Sequence, residues 1–413
     1  MALSALALGG FCLGLTEFVA MGLLPNVAHD LLPADYARSS PHAIAKAGWM
    51  ITSYALGVVV GAPTIAASTA RVPRRRLVLR LLTLFVIGTA ASALAPSFGL
   101  LLVARFVAGL AHGAYFGAAG LLASALLGPG SEGRGFAVVL GGLTTANIFG
   151  VPLITLLGQS AGWRAGYLAV AALFAVTLVA VSAAVPEVPA APGGSPKAEL
   201  AAFRMPKVWL VAAFVAIGSS GFFAVNSYIA PVTTHVAGLS AAAVPWVLAV
   251  MGVGMTVGNA LGGIAADRNL RRSILFGFSA VASAALLFAL TAHNPVLLFV
   301  GAFLVGTAAL FIAPPLQAQL IKAAPGAQLM GAAVNQSAMN VANAAGAGIG
   351  GTVIGAGFGY LSAAWAGLAL TLTGLALAFV ALRRDRSPAR EDLPSPRPTV
   401  ILAAHAVSNE STP

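Results

Sequence analysis

The 413-residue chain has eleven acidic residues, and ten of them fall between long apolar runs or beyond the last one. Glu17 alone lies inside a run. A charge at the bilayer centre costs at least ~2.5–3.5 kcal/mol, so an ionisable group there marks function by default. The chemistry a lone buried carboxyl offers is proton uptake and release. Arg105 is the only basic residue inside a run. At 1.5 Å per residue, Glu17 lies ~10 Å and Arg105 ~9 Å from the same membrane face. Their depths match, so the two side chains can meet if their helices are neighbours. Two readings fit: a static buried ion pair, or a proton site. In the second, burial favours the neutral acid and the guanidinium favours the anion. His112 follows Arg105 by seven residues, on nearly the same helix face. It fits a proton relay and a neutral, hydrogen-bonded packing histidine equally well.

Other polar groups inside the runs are Thr52 and Tyr54, Thr145 and Asn147, Asn226 and Tyr228, and Gln317. Gln336, Asn340 and Asn343 are spaced i, i+4 and i+7, which makes one polar stripe on a helix. Such groups either bind helix to helix, at ~0.6 kcal/mol per bond, or line a water-filled cavity. One Glu, one Arg and one His supply neither a nucleophile–base set nor an H-E-x-x-H zinc motif. The single cysteine, Cys12, supplies no disulfide framework. No ring of like groups or filter loop suggests a channel. The chain therefore reads as a non-enzyme without metal or cofactor.

The elements that position these residues follow from composition. Apolar residues make up 59% and charged residues 8% of the chain, against about 25% charged in soluble domains. Lipid must cover most of the surface. Twelve continuous apolar runs fall near 2–24, 48–69, 77–95, 99–122, 134–158, 163–185, 208–231, 241–265, 272–291, 296–320, 331–355 and 359–382. Their lengths predict membrane-spanning helices, and their continuity excludes an alternating β-barrel pattern. Residues 1–186 form one six-helix half, 187–207 a Pro/Gly-rich linker, 208–382 a second half, and 383–413 a tail expected to be disordered. Of the 22 Lys and Arg, all but Arg38, Lys46, Arg164 and the buried Arg105 fall on the side that carries the termini. That asymmetry places both termini in the cytoplasm of a multi-pass cell-membrane protein. It also assigns the net charge of +11 to loops rather than to a nucleic-acid surface.

A repeat ties the halves together. Residues 57–75, GVVVGAPTIAASTARVPRR, and 254–272, GMTVGNALGGIAADRNLRR, align at an offset of 197. Gly57 then meets Gly254, Gly61 meets Gly258, and Arg71, Arg74 and Arg75 meet Arg268, Arg271 and Arg272. The halves are thus parallel copies. Under the same offset Glu17 meets Phe214 and Arg105 meets Ala302, so only the first half has the charges.

These segments resemble the major facilitator superfamily. Gly61, Arg71 and Arg74, and more fully Gly258, Asp267, Arg268 and Arg271, resemble its loop signature. Ala70 stands where that signature has an aspartate in the first copy. RFVAGLAHGAYFG (105–117) resembles the family's fourth-helix motif. GGLTTANIFGVPLITLLGQ (141–159), with Gly141, Gly150 and Pro152, resembles the motif of drug–proton antiporters. GLTEFVAMGLLPNVAHDL (14–31) is similar to the opening of chloramphenicol-resistance exporters and arabinose-efflux-type permeases. The resemblance implies a monomeric, proton-coupled antiporter exporting small organic molecules by alternating access, a drug-efflux and antibiotic-resistance function. A sugar or nucleoside permease is the alternative. It also implies that the polar groups above line a substrate cavity, that the loop motifs act as gating latches, and that the fifth span bends against the second half. Cysteines introduced at Ser195 and Ser240 should label from opposite sides of the membrane. Labelling of Ser195 from outside intact cells would reverse the topology.

Overall fold

The computed structural model describes residues 1–69, 72–128, 132–187 and 201–384, and these contain helices and no strands. Lipid offers no hydrogen-bond partners to a backbone, so each crossing must satisfy its own amides and carbonyls. Eleven of the described helices are long and apolar enough to cross a membrane. The first half comprises α1 (Ala2–Leu31), short α2 (Pro33–Arg38) and α3 (Ser40–Ala47), then α4 (Trp49–Thr69), α5 (Arg74–Leu94) and α6 (Phe98–Leu127). The next crossing joins α7 (Glu132–Thr145) to α8 (Val151–Ser160), and α9 (Trp163–Ala184) completes the half. The second half comprises α10 (Pro206–Ser227), α11 (Val244–Thr291), α12 (Pro295–Ala323), α13 (Gln328–Val353) and α14 (Ser362–Arg384). The 48-residue α11 breaks at Asn269 and supplies two crossings, which brings the total to twelve. The first and last described residues, Met1 and Arg384, therefore share one side, the terminus side; the opposite side is the far side. Linker residues 188–200 and the tail from 385 lie outside the described residues.

Two boundaries differ from the sequence expectation. The first span continues to Leu31, through Pro25, and carries its last turns beyond the apolar run. Between the eighth and ninth spans, a loop was expected around Asp267–Arg272, yet only Asn269 leaves helical geometry. Asn269 acts as an N-cap: its Oδ1 accepts the Arg272 amide at 2.9 Å, so the ninth span starts without a loop. Asn294 does the same for α12, accepting the amides of Val296 and Leu297 at 2.9 and 3.1 Å.

The repeat is visible as packing. A Cβ on Gly57 would fall 2.2 Å from the Phe106 carbonyl, and one on Gly61 would fall 2.1 Å from that of Leu110. At the 197 offset, a Cβ on Gly254 would fall 2.3 Å from the Phe303 carbonyl, and one on Gly258 would fall 2.0 Å from that of Thr307. The reverse contact repeats as well, Gly109 on the Tyr54 carbonyl and Gly306 on that of Met251. Small residues thus let α4 touch α6, and α11 touch α12, backbone to backbone. The glycines of the loop signature act here as packing residues.

The terminus-side cations are placed by hydrogen bonding. Arg74 opens α5, half-buried. Arg75 donates from Nε to the Val185 carbonyl and from Nη2 to that of Ser182, both at 2.6 Å, capping the end of α9. Arg76 pairs with Glu187 at 3.3 Å. Arg71 and Ala70 lie outside the described residues. Asp267 is exposed and makes no ion pair within 4.0 Å with Arg268 or Arg271, while Arg271 Nη1 is buried without a partner among the described residues. The ion pairs of the expected latch around Asp267 are not formed in this state, the helix breaking at Asn269 between Asp267 and Arg271.

Gly61→Val and Gly258→Val should each destabilise the detergent-solubilised protein by about 1–3 kcal/mol through overpacking. Gly263→Ala meets nothing within 4 Å and should melt like the parent. Equal melting of all three would refute the zipper.

Candidate proton site and the seam between the halves

Glu17 sits midway along α1, 9% exposed. Its three neighbours come from two helices. His112 of α6 brings Nε2 to 4.0 Å from Oε2, and Asn343 of α13 donates from Nδ2 to Oε1 at 3.4 Å. Arg105 of α6 is the third, but the expected Glu17–Arg105 ion pair is absent: no contact within 4.0 Å joins them. Arg105 is fully buried and turned to the preceding residue of α1. Its Nη1 donates to Thr16 Oγ1 at 3.1 Å and its Nη2 to the Thr16 carbonyl at 2.9 Å. Its guanidinium lies 4.2 Å from the Tyr54 ring centroid and 5.5 Å from that of Tyr167. Arginine's weakly hydrated plane suits such an aromatic cage. The depth argument brought Arg105 to the right level, and the hydroxyl and carbonyl of Thr16 outcompete the carboxylate for its donors.

Tyr54 and His112 are both about 1% exposed, and the Tyr54 hydroxyl stands 2.8 Å from His112 Nδ1. Tyr54 was expected to line a cavity; it is instead a buried member of the charged cluster. Thr16 and Tyr167 were not anticipated from the sequence. Thr16 adjoins the only intramembrane acid, and Tyr167 gave no local signal, since it arrives from α9.

The other polar candidates separate by position. Asn343 and Thr52 join the halves, Thr52 donating to the Ala344 carbonyl at 3.3 Å. Asn226 of α10 points its Nδ2 at Met21 Sδ of α1, and the Tyr228 hydroxyl donates to the Ala347 carbonyl at 2.7 Å. These act as helix-to-helix ties in this state. Asn340 bonds back to the Gln336 carbonyl at 2.9 Å, so the expected stripe divides between its own helix and the seam. Gln317 accepts from Asn335 at 2.6 Å, a partner the i+4 stripe did not include. Thr145 is exposed, on the face of the exposed Phe149 and Leu153, and its hydroxyl bonds the Gly141 carbonyl. Thr145 and Gly141 therefore share an exposed face with apolar side chains. Residues Ala146–Gly150 form a π-helical turn before Val151 and Pro152. The Asn147 carbonyl in that turn lies 2.4 Å from where a Cβ on Gly252 of α11 would stand, so the bend abuts the second half.

The hydrogen bonds described between the halves run from the membrane centre to the far side, ending with Gln159 Nε2 on the Ala241 carbonyl at 3.0 Å. Beyond them a cleft of about 620 Å³ opens on the far side, lined in part by His29, Asp30, Tyr36, Arg164 and His235. It holds none of the Glu17 cluster. Asp30 binds Trp163 Nε1 at 2.9 Å and Arg164, tying α1 to α9. The Lys46 ammonium of α3, at 2.7 Å, holds the Asp35 carboxyl of α2 below its usual range.

The family model for the Major Facilitator Superfamily matches residues 6–240 and again 217–410. The inner membrane transport protein YdhP of Escherichia coli K12 is 35% identical over 376 residues, covering 90% of this chain and 94% of its own. A chloramphenicol resistance protein of Streptomyces lividans is 33% identical over 383 residues, covering 91% and 94%. Two solved structures share the fold. An inward-facing, unoccupied bacterial homologue of the human lysosomal transporter Spinster has a TM-score of 0.65 at 16% identity, covering 91% of this chain and 97% of its own. The human organic anion transporter MFSD10 has a TM-score of 0.66 at 17%, covering 91% and 98%.

Cys12 is buried, so introduced cysteines can be read against a quiet background. The pair Gln159→Cys with Ala241→Cys should cross-link in membranes and arrest transport until reduced. Cross-linking that leaves transport intact would show that this far-side contact need not open.

Proposed function

Because the chain belongs to the Major Facilitator Superfamily, as a membrane transporter and not an enzyme, we propose that it exports small organic molecules in exchange for protons. The observation that carries this reading is Glu17, the only intramembrane acid, placed between His112 of its own half and Asn343 of the other. Its charge state and the separation of the halves act on the same contact. As an anion it accepts from Asn343 and is attracted by Arg105. Once protonated it is a weaker acceptor for Asn343, which eases parting of the seam on the far side. The cycle is alternating access between two rigid six-helix halves. On this reading the terminus side is cytoplasmic and the state is open towards it, with far-side release blocked by Thr52, Met21, Asn226 and Gln159. The functional unit is read as one chain.

Chloramphenicol-like, uncharged amphipathic compounds are the favoured substrates. The Streptomyces relative supports this class, as does the absence of a second carboxylate in the spans that could bind a polycation. Gln317 and Gln336 are partly exposed on the terminus side of the seam and suit amide and hydroxyl groups on such a molecule.

Glu17→Gln preserves size and hydrogen bonding and removes the titratable proton. It should reduce uphill export in proteoliposomes to about a tenth or less while leaving substrate affinity near the parent value. Arg105→Lys should impair coupling too, because one ammonium cannot bond both Thr16 oxygens and lie on two aromatic faces. Substrate-linked proton flux of normal size in Glu17→Gln would refute the assignment of Glu17.

A further inference from the structure

We propose that Tyr54 is a positioning residue for the Glu17 proton site, presenting His112 Nε2 to Glu17 in either protonation state. The inference deepens the reading above and rests on Glu17 as the titrating group. Three observations carry it. The Tyr54 hydroxyl is 2.8 Å from His112 Nδ1. His112 Nε2 faces Glu17 Oε2 at 4.0 Å. Both rings are buried, so Tyr54 is the Nδ1 partner among the described residues. The charged and titratable groups facing this unit are Glu17 from α1, Arg105 on the same helix as His112, and Tyr167 from α9, with Thr16 and Asn343 as neutral partners.

A hydroxyl can donate and accept. With Glu17 charged, the Tyr54 O–H donates to Nδ1, the imidazole proton sits on Nε2, and that N–H points at the carboxylate. With Glu17 protonated, its O–H donates to Nε2, the imidazole proton sits on Nδ1, and Nδ1–H donates to the Tyr54 oxygen. The imidazole holds one proton in both arrangements, so the site gains or loses only the proton on Glu17. The cluster changes by that one charge only, and no imidazolium is formed beside the buried Arg105 guanidinium. The 4.0 Å gap must close by about 1 Å for a hydrogen bond, a movement one side-chain rotation supplies. The Tyr54 ring serves Arg105 and the hydroxyl serves His112, so the two functions can be separated by substitution.

Tyr54→Phe keeps the ring beneath Arg105 and removes the hydroxyl. Both forms of Glu17 lose the aligned imidazole, and the charged form loses more because its hydrogen bond is charge-assisted, so the Glu17 carboxyl should titrate at higher pH, by at least about half a unit. The measurement is the infrared carboxyl C=O band of purified full-length protein in nanodiscs, followed with pH and assigned by its loss in Glu17→Gln. Tyr54→Phe should add no further shift in a His112→Gln background. Replacing Tyr54 with 3-fluorotyrosine, a stronger donor of the same shape, should move the band to lower pH, and this arm decides if Tyr54→Phe does not fold. The proposal is overturned by a titration indifferent to both replacements, by a Tyr54→Phe shift that survives without His112, or by a Glu17 band that does not titrate. Because the band reports protonation without transport, a Tyr54-dependent titration in a protein lacking proton-linked export would uphold this inference and remove the export reading.

Discussion

Hydrocarbon surrounds this protein, and between helices in hydrocarbon there is no hydrophobic drive to associate. Cohesion must come from close approach, and here it does: glycines bring α4 onto α6 and α11 onto α12 until backbones touch. Contacts that tight tolerate neither sliding nor an added methyl group. Each half is thereby fixed within itself, and motion is left to the seam. The seam is held mostly by single hydrogen bonds from Thr52, Asn226, Asn343 and Gln159, with a backbone approach of this kind, the π-helical turn against Gly252. A few polar contacts can break and re-form at modest cost, whereas a glycine zipper cannot.

The charged cluster meets the opposite problem. Burying Arg105 without a counter-ion would cost several kcal/mol, and the nearest carboxylate is not in contact with it. Two Thr16 oxygens and the faces of Tyr54 and Tyr167 do the solvating instead. Glu17 is therefore not consumed in a permanent ion pair. It keeps a donor in the other half, a histidine in its own and a small exposed surface, as the proposed change of charge requires.

The sequence displayed more of the scaffold than of the site. Run lengths and the 197-residue repeat read out the twelve crossings because burial in lipid leaves so little compositional choice. The lone acid and lone base were legible for the same reason, each being expensive where it stands. Contacts were less so. Thr16 carries no charge and Tyr167 belongs to another helix, so nothing local announced that they would take Arg105. Thr145 reads as a polar group within an apolar run, which says nothing about the face it occupies; its neighbours on that face, Phe149 and Leu153, are exposed. Asp267 failed through geometry, because a charge pattern shared with a loop signature says nothing about whether the chain there forms a loop.

The two halves repeat the scaffold and not the chemistry. The packing glycines at 57, 61 and 109 recur at 254, 258 and 306, while Thr16, Glu17, Tyr54, Arg105 and His112 meet Ala213, Phe214, Met251, Ala302 and Ala309. The exchange runs the other way for neutral polar groups. Gln317, Gln336, Asn340 and Asn343 of the second half meet Gly120, Val139, Leu143 and Ala146 of the first. One half therefore holds the groups whose charge can change, and the other holds amides, which bond without titrating. The bond that joins them, Asn343 to Glu17, is where a proton on one half can be felt by hydrogen-bonding groups on the other. On the proposed reading, that asymmetry is what lets a proton taken up by one half weaken a bond to the other.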